Sequence, residues 1–97
     1  MRNYKLERLQ RGETLETSEK GNSMSPIIKS GQKHILHAVN DTSTIEVGDI
    51  VYCKVKGNFY THLVKAKNAD KGFLIGNNKG GVNGWTKQIF GKVIKVL

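Results

Sequence analysis

The sequence predicts a mostly β domain, a compact antiparallel β assembly with few helices. Glycine is frequent, with 11 residues, whereas proline occurs once. Short apolar runs alternate with Gly, Asn and Ser clusters, a pattern typical of strands joined by turns. The length of 97 residues corresponds to one domain. A second domain is not expected.

The predicted elements follow in order. Residues 3–11 place Tyr4, Leu6 and Leu9 among charges, and this segment is too short to distinguish a helix from a strand. Residues 13–22 are polar and end in a turn. We predict strands over 34–39, 50–55, 59–67, 73–75 and 89–97, and a shaped loop over the Gly- and Asn-rich residues 76–84.

The chain is basic, with a formal net charge of +8. Its lysines are spread along the sequence and alternate with apolar residues, which favours solvated strand faces and protected sheet edges. The alternative is an anion-binding surface, for which we expect weak, non-specific and salt-sensitive binding of nucleic acid.

Cys53 is the single cysteine, so the sequence excludes an intramolecular disulfide and a cysteine-based zinc cluster. It lies in an apolar run and is expected to be a buried thiol, which suits a reducing compartment. No apolar run approaches the roughly 20 residues of a membrane span, and the N-terminus has no signal-like apolar stretch. We therefore expect a cytoplasmic protein, and a homodimer remains open.

One motif and five segments after it carry the functional information. The motif is Gly21-Asn-Ser23-Met24-Ser-Pro26. The later segments, in order, are Ser30-Gly31, Val47-Gly-Asp49-Ile-Val51, Tyr60-Thr-His62-Leu-Val64, Ile75-Gly-Asn77-Asn78 and Phe90-Gly-Lys-Val93.

This order resembles that of the type I signal peptidases and LexA-like serine peptidases, from Gly21 to the C-terminus. The resemblance implies the LexA/signal-peptidase type of β fold, with residues 1–20 as a lead-in and 21–97 as the peptidase domain. A core without an anchor is typical of phage and mobile-element proteins. The resemblance also implies a protein or peptide substrate, and neither a metal nor an organic cofactor.

By the same resemblance, Ser23 is the nucleophile. A serine hydroxyl needs a base to remove its proton and a rigid, exposed turn to present it. Gly21 permits a close approach of substrate, Pro26 stiffens the exit of the turn, and Met24 anchors it. Backbone N–H groups around Ser23 would form an oxyanion hole.

The base is His62 in this interpretation, and Lys65 is the alternative. His62 matches the form of the family that uses histidine, and a free imidazole suits a base at neutral pH. In a regular strand, His62 and Val64 share one face and Lys65 takes the other. Only one of the two candidate bases then faces Ser23. His34 and His37 match no family position and are expected to be structural.

The sequence departs from the family at its acidic positions. Asn77, which precedes Asn78, stands where the family has Asp. A later Asp of the family is either replaced by Asn83 or lost. An amide forms hydrogen bonds but does not stabilise an imidazolium as a carboxylate does. Two functions therefore remain: a serine endopeptidase or self-cleaving peptidase with a Ser-His (alternatively Ser-Lys) dyad, and a catalytically degenerate module that binds protein or nucleic acid.

Overall fold

Seven strands and one short α-helix make up the part of the chain that the computed structural model describes, residues 3–97. The first two residues of the predicted lead-in lie outside it. The elements are α1 (Tyr4–Gln10), β1 (Thr14–Thr17), β2 (His34–Ala38), a 3-10 turn (Thr42–Thr44), β3 (Ile50–Val55), β4 (Asn58–Asn68), β5 (Gly72–Gly76), β6 (Val82–Thr86) and β7 (Ile89–Val96).

All strands belong to one sheet in the order β1-β2-β7-β3-β4-β5-β6, and every neighbouring pair is antiparallel. The predicted mostly β fold is confirmed. Among residues 3–97, no helix is both long and apolar enough to cross a membrane.

The central strand β3 is buried on both faces. Val51, Cys53 and Val55 lie in one apolar cluster with residues of β4, β5 and β7. Tyr52 belongs to a second cluster beneath α1, and Ile50 to a third. Because successive side chains of a strand point to opposite faces, this one segment joins the cores on both sides of the sheet.

Residues of the predicted lead-in pack on the same sheet as the rest of the chain. Asn3 caps α1 by accepting a hydrogen bond from Leu6 N at 3.0 Å. Leu9 is buried over β7 at Gly91, where a β-carbon would lie 3.1 Å from the Leu9 methyl groups. A glycine at this position lets the helix approach the strand closely.

One predicted segment type was wrong, and one segment for which composition predicted no regular element forms a strand. The polar residues 13–22 include β1, whose single buried side chain is Leu15, and pairing with β2 overrides the polar composition. The predicted loop 76–84 ends early because β6 begins at Val82 and pairs with β5. Its glycines hid the strand, since Gly has a low strand propensity.

The structure predicts that Cys53 is chemically inert. Its side chain is fully buried and its thiol donates to Tyr60 O at 3.6 Å. Burial raises the pKa of the thiol to about 12, so the reactive thiolate is scarce at neutral pH. Labelling with a maleimide should be about a hundredfold slower in native buffer than in denaturant, because access requires opening of the sheet. Equal rates by intact mass would contradict this burial.

Candidate active site

The turn that carries Ser23 is held by backbone hydrogen bonds and by one apolar anchor. Ser25 N donates to Asn22 O at 3.1 Å, and the Ser25–Pro26 peptide bond is cis. Gly21 has a φ of 122°, a backbone conformation that residues other than glycine rarely adopt. Met24 is buried in the third cluster, with Ile28 and Ile50, and this packing anchors the turn to the core. Ser23 itself remains partly exposed.

Asn78 ties this turn to the loop after β5. Its backbone N–H donates to Ser23 O at 2.8 Å, and its side-chain amide donates to Ser25 O at 2.9 Å. Two bonds from one residue hold the backbone on both sides of Met24. The position of the Ser23 hydroxyl thus depends on the loop that leads into β6.

His62 lies in β4, opposite Val51 of β3, and is largely buried. Its Nε2 is 3.0 Å from Ser23 Oγ. The ring stacks on Tyr60, two residues earlier on the same face, with centroids 5.0 Å apart. The structure therefore brings the two predicted site residues, 39 positions apart, within hydrogen-bond distance.

Asn83 completes a three-residue chain. His62 Nδ1 lies 2.7 Å from Asn83 Oδ1. A carboxamide oxygen only accepts, so Nδ1 carries the proton and donates to it. The lone pair is then on Nε2, which accepts from the Ser23 hydroxyl. This is the tautomer that a general base requires.

A β-bulge directs Asn83 toward His62. On β5, the adjacent residues Ile75 and Gly76 pair with Gly84 and Val82, so Asn83 is the extra residue between them. Bulges re-aim side chains and often lie beside active sites.

Asn77 shapes the preceding loop instead. Its side-chain oxygen accepts from Lys79 N and Gly81 N, both at 2.8 Å. This internal bonding folds the loop that presents Asn78 to the Ser23 turn.

Lys65 lies on the other face of β4. A β-carbon built on Gly76 would lie 2.9 Å from Lys65 Cε, and Gly76 pairs with Leu63. Paired residues share a face of the sheet, so the lysine stem lies on the Leu63 side, opposite His62. A bulge between Val64 and Ala66 interrupts the register at Lys65. Lys65 does not line the cavity that adjoins Ser23 and His62.

A cavity of about 170 Å³ adjoins Ser23 and His62. Glu19 lines it, and the Glu19 Oε1 atom accepts hydrogen bonds from the Thr61 hydroxyl and from Lys5 Nζ, the latter at 3.0 Å. Burial raises the pKa of Glu19, but these two hydrogen bonds and the charge of Lys5 outweigh it and keep the pKa below its ordinary value. The carboxylate beside the site is therefore ionised at neutral pH.

From the sequence, Asn83 was interpreted as a departure from the acidic residue of the family, and Glu19 was not predicted to lie beside the site. The polar segment 13–22 gave no sign that Glu19 turns inward. His34 was expected to be structural, but it also lines the cavity. Within residues 3–97, no group of three or more His, Cys, Asp or Glu side chains is arranged to hold a metal ion.

Comparisons with protein-family models, curated proteins and solved structures found no match to this chain.

The Glu19 contacts predict a pH-dependent contribution to stability. Because the folded-state pKa of Glu19 is lowered, its stabilisation is complete above the ordinary Glu value of about 4.3 and is lost as pH falls through the lower folded-state value. Glu19→Gln should lower the urea midpoint at pH 7, and the difference from wild type should narrow in acid.

Glu16→Gln is the matched control, since Glu16 is exposed on β1 and only 3.9 Å from Lys33. We expect it to change the midpoint little. A Glu19→Gln deficit that stays constant down to strong acid would contradict the ionic origin of the effect.

Proposed function

We propose that this protein is a serine peptidase, with Ser23 as nucleophile and His62 as general base, and that its substrate is a protein or peptide. The observation that carries the proposal is the continuous hydrogen-bonded chain Ser23–His62–Asn83, with distances of 3.0 and 2.7 Å. Nucleophile, base and orienting group in this order define an acyl-transfer site on unrelated folds.

The proposed reaction has two steps. Ser23 Oγ attacks the scissile carbonyl carbon while its proton passes to His62 Nε2. Breaking the C–N bond releases the amine, which takes that proton, and leaves an acyl-enzyme. Water then attacks the ester, again giving its proton to His62, and Ser23 is regenerated when His62 returns it. Asn83 keeps the imidazole oriented through both steps.

The oxyanion of each tetrahedral intermediate would be stabilised by backbone N–H groups of the Ser23 turn. That turn is fixed by Asn78 and by Met24, so these donors need little reorganisation when charge develops. Pro26 limits the conformations of the turn at one end, and Gly21 supplies the positive φ that the other end requires.

The particular type of fold and enzyme that we propose is that of the LexA-like and signal peptidases. The ordered motifs from Gly21 to Val93 support it, together with the Ser-His pairing. A self-cleaving peptidase and one acting on other proteins share this site. Cytoplasmic action and an origin in a mobile element belong to the same proposal.

The alternative is a module of this fold that binds nucleic acid or protein through its basic surface. Some of the lysines are already paired: Lys67 lies 3.6 Å from Glu46, and Lys92 lies 3.3 Å from Asp49. A binding module has no need of the Ser23–His62–Asn83 chain, and this favours the peptidase. Weak nucleic-acid binding stays a prediction.

Labelling with a fluorophosphonate tests the proposed nucleophile. Wild-type protein should form one covalent adduct on Ser23, and Ser23→Ala should form none. His62→Ala should slow labelling by about a thousandfold, because nucleophile and base act as a unit.

Lys65→Ala is the control for the choice of base, because the Lys65 side chain lies across Gly76 on the opposite face. It should label at nearly the wild-type rate, measured by intact mass over time. Loss of labelling in Lys65→Ala with retention in His62→Ala would contradict the assignment of His62.

Substitutions at Asn83 test the orienting role. Asn83→Ala should slow labelling by about ten- to a hundredfold, since the tautomer and ring orientation lose their support. Asn83→Asp should label at least as fast as wild type, because a carboxylate also accepts from Nδ1 and stabilises the imidazolium that forms when His62 takes the Ser23 proton. Labelling of Asn83→Ala at the wild-type rate would show that residue 83 does not orient the base in solution.

A further inference from the structure

The outer side of β6 is an open edge of the sheet. β6 is the last strand in the sheet order and pairs only with β5. Among the described residues, the backbone groups of residues 82–85 form no hydrogen bond outside this pairing. The end of the strand is closed, because the Thr86 hydroxyl donates to Lys54 O at 2.6 Å. Between Val82 and Trp85, the N–H and C=O groups that point away from β5 can therefore pair with another extended chain.

The net charge of the chain lies in the half of the sequence that contains this edge. Residues 50–97 include nine lysines and one acidic residue, Asp70, whereas residues 1–49 include seven basic and seven acidic residues. The formal charge of +8 therefore belongs to the segment from β3 to the C-terminus. A charge that is segregated in this way produces a positive potential, which attracts anionic partners.

Lysines border β6 on both faces of the sheet. A β-carbon built on Gly84 would lie 3.3 Å from Lys56 Cε, and Gly84 pairs with the buried Ile75. Lys71 Nζ lies 5.6 Å from the centre of the Trp85 ring. Because successive residues of a strand point to opposite faces, Lys56 and Lys71 flank β6 from the two sides.

Two further lysines lie at the start of the strand. The stem of Lys65 lies against Gly76, which pairs with Val82. Lys79 is exposed in the loop that leads into β6. Among the described residues, neither these two lysines nor the two that flank the strand form an ion pair with a carboxylate. Their charges are not neutralised within the chain.

This arrangement favours an acidic peptide over other anions. A peptide that adds to a sheet edge bonds through its backbone and points its side chains alternately to the two faces. Since both faces of β6 carry a lysine, acidic side chains at successive positions of the added strand would each meet a cation. A nucleic acid has no main-chain amides that continue the ladder. An apolar strand would bury the lysine charges without a counter-charge.

We propose that the edge of β6 docks an extended acidic segment of a partner protein, which adds to the sheet as a further strand. Main-chain hydrogen bonds with residues 82–85 hold the segment, and Lys56 and Lys71 select its acidic side chains. Because β6 also carries Asn83, the docked protein lies beside the proposed active site. Docking involves no catalytic step, so it is independent of the proposed peptidase function.

The test uses three probes of similar charge. The first is an eight-residue peptide with the sequence Glu-Glu-Thr-Thr repeated twice, which places glutamates on both faces of a strand. The second is the same peptide with N-methyl groups on two adjacent central amides, which remove a donor from each edge without changing the charge. The third is a short oligothymidylate. Binding is measured by anisotropy of labelled probes and by the emission of Trp85, the single tryptophan of the chain.

At low salt, the unmodified peptide should bind wild-type protein and change the Trp85 emission, and added salt should weaken it. The N-methylated peptide should bind at least about tenfold more weakly, because it cannot extend the ladder. The double variant Lys56→Gln/Lys71→Gln should lose about five- to tenfold in affinity. Lys33→Gln/Lys95→Gln is the control with the same change of charge, at exposed lysines near β2 and β7, and it should bind nearly as wild type does.

Equal binding of the two peptides would overturn strand addition, and this comparison needs only wild-type protein if a variant fails to fold. Equal losses in the two double variants would show that the charge acts diffusely and overturn the role of Lys56 and Lys71. Tighter binding of the oligothymidylate would identify the partner as a nucleic acid. Absence of peptide binding would overturn the docking edge, while labelling of Ser23 by a fluorophosphonate would still support the peptidase.

Discussion

The burial of β3 on both faces is the constraint on which the site depends. Val51 and Tyr52 are adjacent in this strand, yet they lie in different apolar clusters. A shift of one residue in the pairing would exchange the two faces and move each set of side chains into a cluster of different shape, where the close packing of both cores would be lost. The register between β3 and β4 is therefore strongly specified, and it places His62 opposite Val51. The position of the proposed base follows from core packing at a strand that itself contributes no proposed catalytic residue.

The remaining parts of the site depend on local departures from regular structure. The bulge in β6 turns Asn83 toward His62, and the turn at residues 21–26 presents Ser23. Asn78 joins these two regions through its bonds to the backbone of the Ser23 turn. A regular sheet provides rigid support, but its side chains alternate strictly between faces. Turns and bulges are what allow residues from three distant parts of the chain to converge.

Sequence patterns predicted those parts of the structure that depend on local composition. The apolar runs around Val51, Val64 and Ile75 predicted strands, and strands are present there. The short strand at Leu15 and the strand at Trp85 were missed, because pairing with a neighbour stabilises them and their own composition does not. The ordered motifs identified Ser23 and His62 as a pair. The role of Asn83 depends on a bulge, and that of Glu19 on the folding of α1 and Thr61 around it, so neither has a local signal.

The use of Asn83 in place of a carboxylate fits the electrostatics of the site. Glu19 already places one carboxylate beside the cavity, where Lys5 and Thr61 stabilise it. A second carboxylate next to the largely buried His62 would have to lose hydration without a cation of its own, and such burial is costly. An amide fixes the same tautomer without that cost, because its oxygen accepts from Nδ1. The amide stabilises the imidazolium of the proposed transition state less than a carboxylate would. In the proposed mechanism, Asn83 therefore lowers the cost of burying the site and also lowers the rate of the chemical step.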